Sequence, residues 1–354
     1  MFAERIQHLT SSIIREILAS AQKPDVISFA GGLPAEGSFP DIDWSVLPNK
    51  VRQYGMSEGE PELREAIAAE ARQKGIDCDA NQVLILSGSQ QGLDLVSKLF
   101  IDPNSNVLVE SPTYLAALQC FNLFQAQCQG IKLGNNGPDI NNFEHQIRDH
   151  KPRFSYLIPS FQNPSGTCYS VQARQDVAAM LDKYGLPLIE DEPYCELDYD
   201  GVAKPPICSL VQRAPWVFQG SFSKILMPGL RVGYLIAHPS LITHLVRLKQ
   251  AADLHTNRPG QWLALEYMRS AEKPARLARL QAFYRERRGF TQPDAPEVAE
   301  VRDLRALRRA PAPAQDQCHR PWLGLPGGRA GVLRARQPAA GDAYRNAGQW
   351  QRQH

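Results

Sequence analysis

Between residues 80 and 240, short apolar runs alternate with longer segments in which apolar residues recur at helical spacing. Such runs are typical of buried strands, and the segments between them, among them 90–100 and 171–184, are typical of connecting helices. The alternation predicts an α/β domain with a mostly parallel sheet and helices on both faces. The predicted strands are 83–87, 106–110, 154–158, 186–190, 217–221 and 232–237.

The segments before this region predict helices and glycine-bearing loops. Residues 61–74 have the pattern of an amphipathic helix, with Pro61 in the first turn, where proline is favoured. Charged residues interrupt the apolar pattern of residues 1–18, which indicates a helix of the mature protein rather than a signal peptide. No apolar run reaches the roughly 18 to 20 residues of a membrane span, so we expect a soluble protein with no membrane partner.

Cysteine usage and charge exclude several classes of protein. The seven cysteines are odd in number and none form a C-x-x-C pair, which argues against a disulfide framework and against a metal site, and favours a reducing cytoplasm. Residues 1–292 carry a net charge of −2, with 29 basic and 31 acidic residues. The body of the chain is therefore not expected to bind nucleic acid.

Ligands of parallel sheets sit beyond the carboxyl ends of the strands, and unusual polar residues follow the predicted strands here. Lys224 lies after one strand, near Ser221 and Ser223 and seven residues before Arg231. A lysine that forms an imine needs a partly deprotonated amine, which a nearby cation and a desolvated pocket provide. The serines and the arginine would suit a phosphate dianion. Taken alone, the pattern around Lys224 favours a surface lysine in a loop.

Four further segments carry candidate residues, each with a plainer interpretation. Ser89 and Gln90 open a helix whose N-terminus would attract an anion, although Ser before Gln is also an ordinary helix start. Asp191 ends a strand and would pair with a protonated pyridine nitrogen, or it belongs to a solvated acidic turn. Asn163 precedes a proline and suits a phenolate oxygen, or simply forms a turn. Tyr114 would stack on an aromatic cofactor, or simply pack.

In this order, these segments resemble one family, the class I and II aminotransferases of pyridoxal-phosphate fold type I, in particular the branch of 2-aminoadipate and kynurenine aminotransferases. The resemblance spans about residues 5–290. Its most specific motif is S-x-S-K-x-x-x-P-G-x-R-x-G-Y at residues 221–234. The resemblance implies a large cofactor-binding domain, 41–270, and a small domain formed by an N-terminal arm, 1–40, and residues 271–354.

The resemblance also implies the role of each site residue. Lys224 would carry pyridoxal 5'-phosphate as a Schiff base, Asp191 would pair with its pyridine nitrogen, and Tyr114 would stack on the ring, making these three the catalytic residues. Asn163 and Tyr194 would bind the 3-hydroxyl oxygen. The implied phosphate ligands are Ser89, Gln90, Ser221, Ser223, Arg231 and, from the partner subunit of a homodimer, Tyr54. The implied substrate contacts are Gly32, Arg15 and Asn163.

The implied activity is transfer of the amino group of an L-amino acid to a 2-oxo acid, commonly 2-oxoglutarate. Two alternatives stay open. The same cofactor chemistry serves lyases and decarboxylases, because the ring stabilises whichever carbanion is generated. Some bacterial transcription regulators resemble this branch, but they carry a winged-helix domain ahead of it, and only about 25 residues precede the apolar segment at residue 26. The amino donor does not follow from the sequence.

Residues 293–354 differ in composition from everything before them. They contain 12 Ala, 10 Arg and 7 Pro but no Lys, Ser, Thr, Ile, Phe or Met, and their net charge is +4. Hydrophobic periodicity fades after residue 290, and we find no motif for the arginine that grips the substrate α-carboxylate in similar enzymes. We interpret the segment as the product of a reading-frame shift, which leaves the small domain incomplete or aberrant. The alternative is a divergent, disordered basic tail.

Overall fold

A computed structural model describes residue 6 and residues 33–40, 47–199, 201 and 204–291. Four predictions lie outside these described residues. They concern the helix at residues 1–18, the substrate contacts Arg15 and Gly32, and the aberrant segment 293–354.

The described residues contain one eight-stranded sheet, with strand order β1-β8-β7-β6-β5-β2-β3-β4. Strands β3, β2, β5, β6 and β7 pair in parallel, whereas β8 is antiparallel to both of its neighbours and β4 is antiparallel to β3. The prediction of a mostly parallel sheet is confirmed. The strands are β1 (Val83–Leu86), β2 (Asn106–Ser111), β3 (Gln127–Gly134), β4 (Gly137–Pro138), β5 (Ser155–Leu157), β6 (Leu188–Asp191), β7 (Trp216–Ser221) and β8 (Gly233–Ala237).

Helices precede the first strand, connect several of the strands and come after the last strand in the chain. Within the described residues they are α1 (Pro61–Gln73), α2 (Ser89–Phe100), α3 (Leu115–Leu123), α4 (Ile140–His150), α5 (Val171–Tyr184), α6 (Pro239–Asp253), α7 (Arg258–Arg269) and α8 (Lys273–Thr291). The three helices predicted from the pattern, α1, α2 and α5, begin and end within one residue of the expected positions. The predicted domain boundary near residue 271 stays a prediction.

The hydrophobic core lies on both faces of the sheet. Residues of β1 alternate between them, because Ile85 packs with one group of buried side chains and Leu84 with the other. Buried residues of α1 and α5 belong to the first group, and those of α2 and α6 to the second. Helices therefore cover both faces, as predicted. In the part of the chain that the structure describes, every helix is too short or too polar to span a bilayer.

Candidate active site

The candidate residues meet at one edge of the sheet. Strands β1 and β7 both run antiparallel to β8, so they run parallel to each other and to β6, β5 and β2. The carboxyl ends of these five strands consequently lie at the same edge. Asp191 is the last residue of β6, and the segments that follow the other four strands carry the predicted residues Ser89, Tyr114, Asn163 and Lys224.

The turn between β1 and α2 lies at one end of the candidate site. Gly88 is the N-cap of α2 with φ of 85°, a left-handed conformation that glycine adopts readily. A Cβ atom on Gly88 would lie 2.2 Å from Arg231 Nη2, and one on Gly233 would lie 2.7 Å from the Ser89 amide nitrogen. The Arg231 guanidinium therefore lies against the helix N-terminus. An anion there would meet both the helix dipole and a full positive charge.

The segment after β7 brings the candidate lysine to this end. Ser221 Oγ accepts a hydrogen bond from the Ser223 backbone N–H at 3.1 Å, which closes a tight turn just before Lys224. Lys224 is half-buried, and its Nζ lies 5.6 Å from the centre of the Tyr194 ring. Burial lowers the pKa of Lys224, and the neighbouring Arg231 charge lowers it further. Both effects favour the neutral amine, which is the nucleophilic form.

Asp191 is the buried acid of the site. It is the last residue of β6, and only 4% of its surface is exposed. Tyr156 donates its hydroxyl to Asp191 Oδ2 at 2.7 Å, and Gln219 Nε2 donates to Oδ1 at 3.1 Å. Burial raises the pKa of Asp191 to about 6, although both hydrogen bonds act to lower it. The carboxyl group is therefore largely ionised at neutral pH.

Two tyrosines border the space between the acid and the amine. Tyr114 is partly buried and donates to Gln90 Oε1 at 3.4 Å; burial, followed by the Asp191 charge, raises its pKa to about 12. Burial also raises the pKa of Tyr194, and a side-chain hydrogen bond with Asn163 acts in the opposite direction. The structure thus brings two sets of predicted residues into contact, Tyr114 with Gln90 and Tyr194 with Asn163.

Tyr54 lies on an exposed segment. Its side chain is 76% exposed, and its ring meets the His255 ring edge-on with 5.8 Å between centroids. Arg258 Nη1 donates to the backbone oxygens of Gln53 and Tyr54 at 3.0 and 3.2 Å, and Arg258 also pairs with Glu60. These contacts fix the backbone of the segment. The expected role of Tyr54 in a neighbouring subunit stays a prediction.

Sequence reasoning missed a buried lysine behind the turn between β1 and α2. Lys249 of α6 is fully buried, and its Nζ donates to Gln91 Oε1 at 2.7 Å, Asp253 Oδ2 at 2.8 Å and Thr256 Oγ1 at 2.9 Å. Ser87 Oγ donates to the same Asp253 oxygen at 2.7 Å. This cluster ties the end of α6 to the residues on either side of Gly88. The signal in the sequence is a lysine on the apolar face of a helix, four residues before an aspartate.

A second missed group joins the loops after β2 and β5. Glu110 is buried and accepts hydrogen bonds from Tyr169 Oη at 2.7 Å, Gln162 Nε2 at 2.8 Å and the Ile158 backbone N–H at 3.0 Å. Gln162 Nε2 also donates to the Pro112 backbone oxygen at 2.8 Å. Burial raises the pKa of Glu110 to about 7. The two loops are therefore held at a fixed separation.

These groups fit three parts of pyridoxal phosphate, namely its phosphate, its ring nitrogen and its aldehyde carbon. The cradle of Gly88 and Gly233, which a Cβ would fill, offers backbone N–H groups and the Arg231 charge to a phosphate. A buried, ionised Asp191 suits a pyridinium nitrogen. An amine of lowered pKa on Lys224 suits an aldehyde carbon. All three lie at the same edge of the sheet.

Comparison with known proteins agrees with this geometry. The chain is 38% identical over 297 residues to 2-aminoadipate transaminase of Thermus thermophilus, covering 81% of this chain and 73% of that protein. It is 35% identical to aromatic-amino-acid aminotransferase 1 of Thermococcus litoralis, covering 81% and 72%. Among solved structures, alpha-aminoadipate aminotransferase of Thermus thermophilus, complexed with N-(5'-phosphopyridoxyl)-L-leucine, matches with a TM-score of 0.74 at 38% identity, covering 80% and 73%.

More distant similarity extends to regulators. An HTH-type transcriptional regulator of Bacillus subtilis is 29% identical over 292 residues, but the chain spans only 60% of that protein's length. The family model for aminotransferase class I and II matches residues 42–292, which is more than two thirds of the chain. The chain therefore belongs to the class I and II aminotransferases.

Proposed function

We propose that the protein is a pyridoxal-phosphate-dependent aminotransferase that moves the amino group of an L-amino acid to a 2-oxo acid, with 2-oxoglutarate as the acceptor. The observation that carries this proposal is that Asp191, Lys224 and the Arg231-lined helix N-terminus lie at the carboxyl ends of β6, β7 and β1, at the same edge of the sheet. The phosphopyridoxyl group in the similar aminoadipate enzyme supports the choice of cofactor.

In this proposal each residue holds one part of the cofactor. Ser89, Gln90, Ser221, Ser223 and Arg231 bind the phosphate, because they supply hydroxyl, amide and guanidinium donors around the N-terminus of α2. Asp191 holds the ring nitrogen as a cation, Tyr114 covers the ring, and Asn163 and Tyr194 bind the 3-hydroxyl oxygen. When bound, pyridoxal phosphate supplies an electron-accepting ring that stabilises a carbanion at the substrate α-carbon.

Lys224 Nζ then acts as the general acid and base. Burial and the Arg231 charge lower its pKa and so favour the neutral amine, and Nζ accepts the α-proton of the amino acid and donates it again in the next step. The two substrates bind in turn to the same edge of the sheet, which predicts ping-pong kinetics. Tyr54 of the partner subunit, Gly32 and Arg15 are proposed to complete the phosphate and substrate contacts.

The test is a panel of L-amino acids assayed with 2-oxoglutarate, with both products identified. An aminotransferase converts the donor into its 2-oxo acid and forms glutamate in equal amount. A lyase or decarboxylase would release ammonia or carbon dioxide without glutamate, and this result would replace the proposed reaction with that alternative. Specific retardation of DNA in a gel-shift assay, together with no turnover of any donor, would favour the regulator alternative.

We also propose a cytoplasmic location and a homodimer. The six cysteines among the described residues are free, which suits a reducing compartment. Dimers with twofold symmetry are the commonest oligomers, and the exposed Tyr54 segment offers each subunit a residue for its neighbour's site.

A further inference from the structure

The carboxylate of Asp191 is held by one donor on each oxygen. Tyr156, in β5, reaches Oδ2 at 2.7 Å, and Gln219, in β7, reaches Oδ1 at 3.1 Å. Strands β5 and β7 flank β6, so the two donors approach Asp191 from the strands on either side. The carboxylate is therefore held by side chains of both neighbouring strands, and one lone pair on each oxygen remains for a ligand.

Both donors are built into the core. Tyr156 and Gln219 are fully buried, and the Tyr156 ring packs edge-on against Phe121 with 5.6 Å between centroids. Gly92 makes room for the Gln219 amide, because a Cβ on Gly92 would lie 1.9 Å from Gln219 Oε1. Glycine is an unfavourable residue inside a helix such as α2. Its presence next to this amide indicates that the position of Gln219 matters.

The orientation of the Gln219 amide indicates which form of Asp191 it serves. Within the described residues, Gln219 Oε1 is buried and accepts no hydrogen bond. If the amide were turned, its oxygen would face the carboxylate oxygen at hydrogen-bond distance, and the two acceptors would repel. Leaving Oε1 unpaired is unfavourable, and donating Nε2–H to an anion compensates for it because charge-assisted hydrogen bonds are the stronger kind.

The charges around Asp191 agree with this interpretation. Three phenols, those of Tyr114, Tyr156 and Tyr194, interact electrostatically with Asp191, and burial followed by the Asp191 charge raises the pKa of all three. These phenols therefore remain neutral near pH 7. Burial raises the pKa of Asp191, and the hydrogen bonds from Tyr156 and Gln219 oppose that rise.

We propose that Tyr156 and Gln219 are positioning residues that hold the Asp191 carboxylate as the anion required by the cofactor's ring nitrogen. The proposal rests on the proposed function for the role of Asp191. It adds two residues, on the neighbouring strands, that act through Asp191 without touching the cofactor.

The experiment measures the ionisation of Asp191 in the full chain without cofactor. The infrared band of its protonated carboxyl group is assigned by difference against Asp191→Asn and followed between about pH 4 and pH 9. Tyr156→Phe should raise the midpoint of the Asp191 titration by about one to two pH units, because it removes a hydrogen bond to a charged group. Gln219→Leu should raise it in the same direction and serves as the second variant if Tyr156→Phe does not fold.

The matched control is Tyr169→Phe. Tyr169 is equally buried, and its hydroxyl donates to the Glu110 carboxyl group at the same distance of 2.7 Å. This change removes an equivalent phenol–carboxylate hydrogen bond elsewhere and should leave the Asp191 midpoint unchanged. Equal midpoints in the parent chain, Tyr156→Phe and Gln219→Leu would overturn the proposal, as would an equal shift caused by Tyr169→Phe.

A second readout separates this proposal from the proposed function. Pyridoxal phosphate is titrated into each variant, and its absorbance and affinity are measured at pH 7 and at about pH 9. We expect Tyr156→Phe to weaken binding at pH 7 and to recover at the higher pH, where Asp191 is ionised again. If the midpoint shifts but the affinity and the spectrum do not follow it, then Asp191 does not face the ring nitrogen, and its role in the proposed function is wrong.

Discussion

Lys224 differs from the surface lysines of this chain in its surroundings. It is half-buried and has Arg231 as a neighbour, and these two influences lower its pKa. Lys183, by contrast, keeps 58% of its side chain exposed and forms an ion pair with Glu144. The reactivity of an amine depends on its fraction in the neutral form, so we expect Lys224 to be the reactive lysine.

We expect borohydride to fix pyridoxal phosphate onto Lys224 and onto no other lysine. Lys224→Ala should abolish turnover, because it removes the group that holds and returns the α-proton, while the phosphate cradle still binds cofactor. Peptide mass mapping after reduction identifies the labelled residue, and Lys183→Ala is the control that should keep both label and turnover. A label on a different lysine would contradict the assignment.

Glu110 predicts a particular pH dependence of stability. Burial raises the pKa of this carboxyl group from 4.5 to about 7 in the folded chain. The folded state therefore binds the proton more tightly than the unfolded state. The resulting stabilisation is fully present below pH 4.5 and is lost as the pH rises through 7.

Glu110→Gln should remove this dependence. We expect the stability difference between the parent chain and the variant to change by roughly 3 kcal/mol between about pH 4.5 and pH 8, in favour of the variant at the higher pH. Urea unfolding at both pH values gives the free energies. The exposed residue Glu65 provides the control, Glu65→Gln. A difference that does not vary with pH would refute the prediction.

At the scale of elements, the turn between β1 and α2 depends on the lack of a side chain at Gly88. The turn has a positive φ there, and the Arg231 guanidinium occupies the space that a Cβ would fill. Gly88 therefore permits the positive φ of the turn and also leaves room for the Arg231 guanidinium. Only the second of these bears on anion binding.

Gly88→Ala should therefore weaken the binding of pyridoxal phosphate by displacing Arg231. Gly185→Ala is the matched control, because Gly185 also has a positive φ, of 61°, but a Cβ added there would meet no atom of the described residues within 4 Å. Gly185→Ala should cost about 1–2 kcal/mol of stability through backbone strain, and Gly88→Ala should cost more, because its ψ of 155° lies in a region that is essentially restricted to glycine. Spectroscopic titration with cofactor should show reduced affinity only for Gly88→Ala; equal affinities for both variants would contradict the role of the turn.

The sequence predicts the central strands because they are buried on both faces and are therefore continuously apolar. Strand β3 was missed because it lies near the edge of the sheet, and most of its side chains, such as Gln127 and Gln129, are only partly buried. The candidate polar residues could be predicted because they lie directly after the strands in the sequence. Tyr156, Gln219 and Lys249 could not be predicted. Their partners, Asp191 for the first two and Gln91 for Lys249, lie far away in the chain, and only the packed fold brings them together.

At the scale of the whole molecule, we expect a homodimer with twice the chain mass of 39.5 kDa in sedimentation. Large apolar side chains are exposed in and near the Tyr54 segment, among them Met56 and Leu254. Mixing Lys224→Ala chains with Tyr54→Phe chains tests whether Tyr54 acts across the interface. A heterodimer would then contain one intact site, so random mixing should recover about a quarter of the parent activity. A fully active monomer would refute the dimer.

The segment 293–354 yields a prediction about the gene. The family match ends at residue 292, and residues 293–354 contain no Lys, Ser, Thr, Ile, Phe or Met. We expect resequencing around codon 290 to reveal a shifted reading frame, and we expect a chain with the restored frame to turn over substrate much faster, because it regains its small domain and carboxylate-binding arginine. An unshifted gene whose product has normal turnover would contradict this interpretation.

The antiparallel direction of strand β8 places the candidate lysine and arginine in one connection between two strands. Because β8 runs against its neighbours, its first residues lie at the edge where β7 ends, so the connection between them stays at the working edge of the sheet. That single connection, residues 222–232, carries both the amine and the guanidinium. The lysine and the arginine of the candidate site thus belong to one contiguous segment, and the turn at Gly88 on the far side of β8 leaves room for its guanidinium.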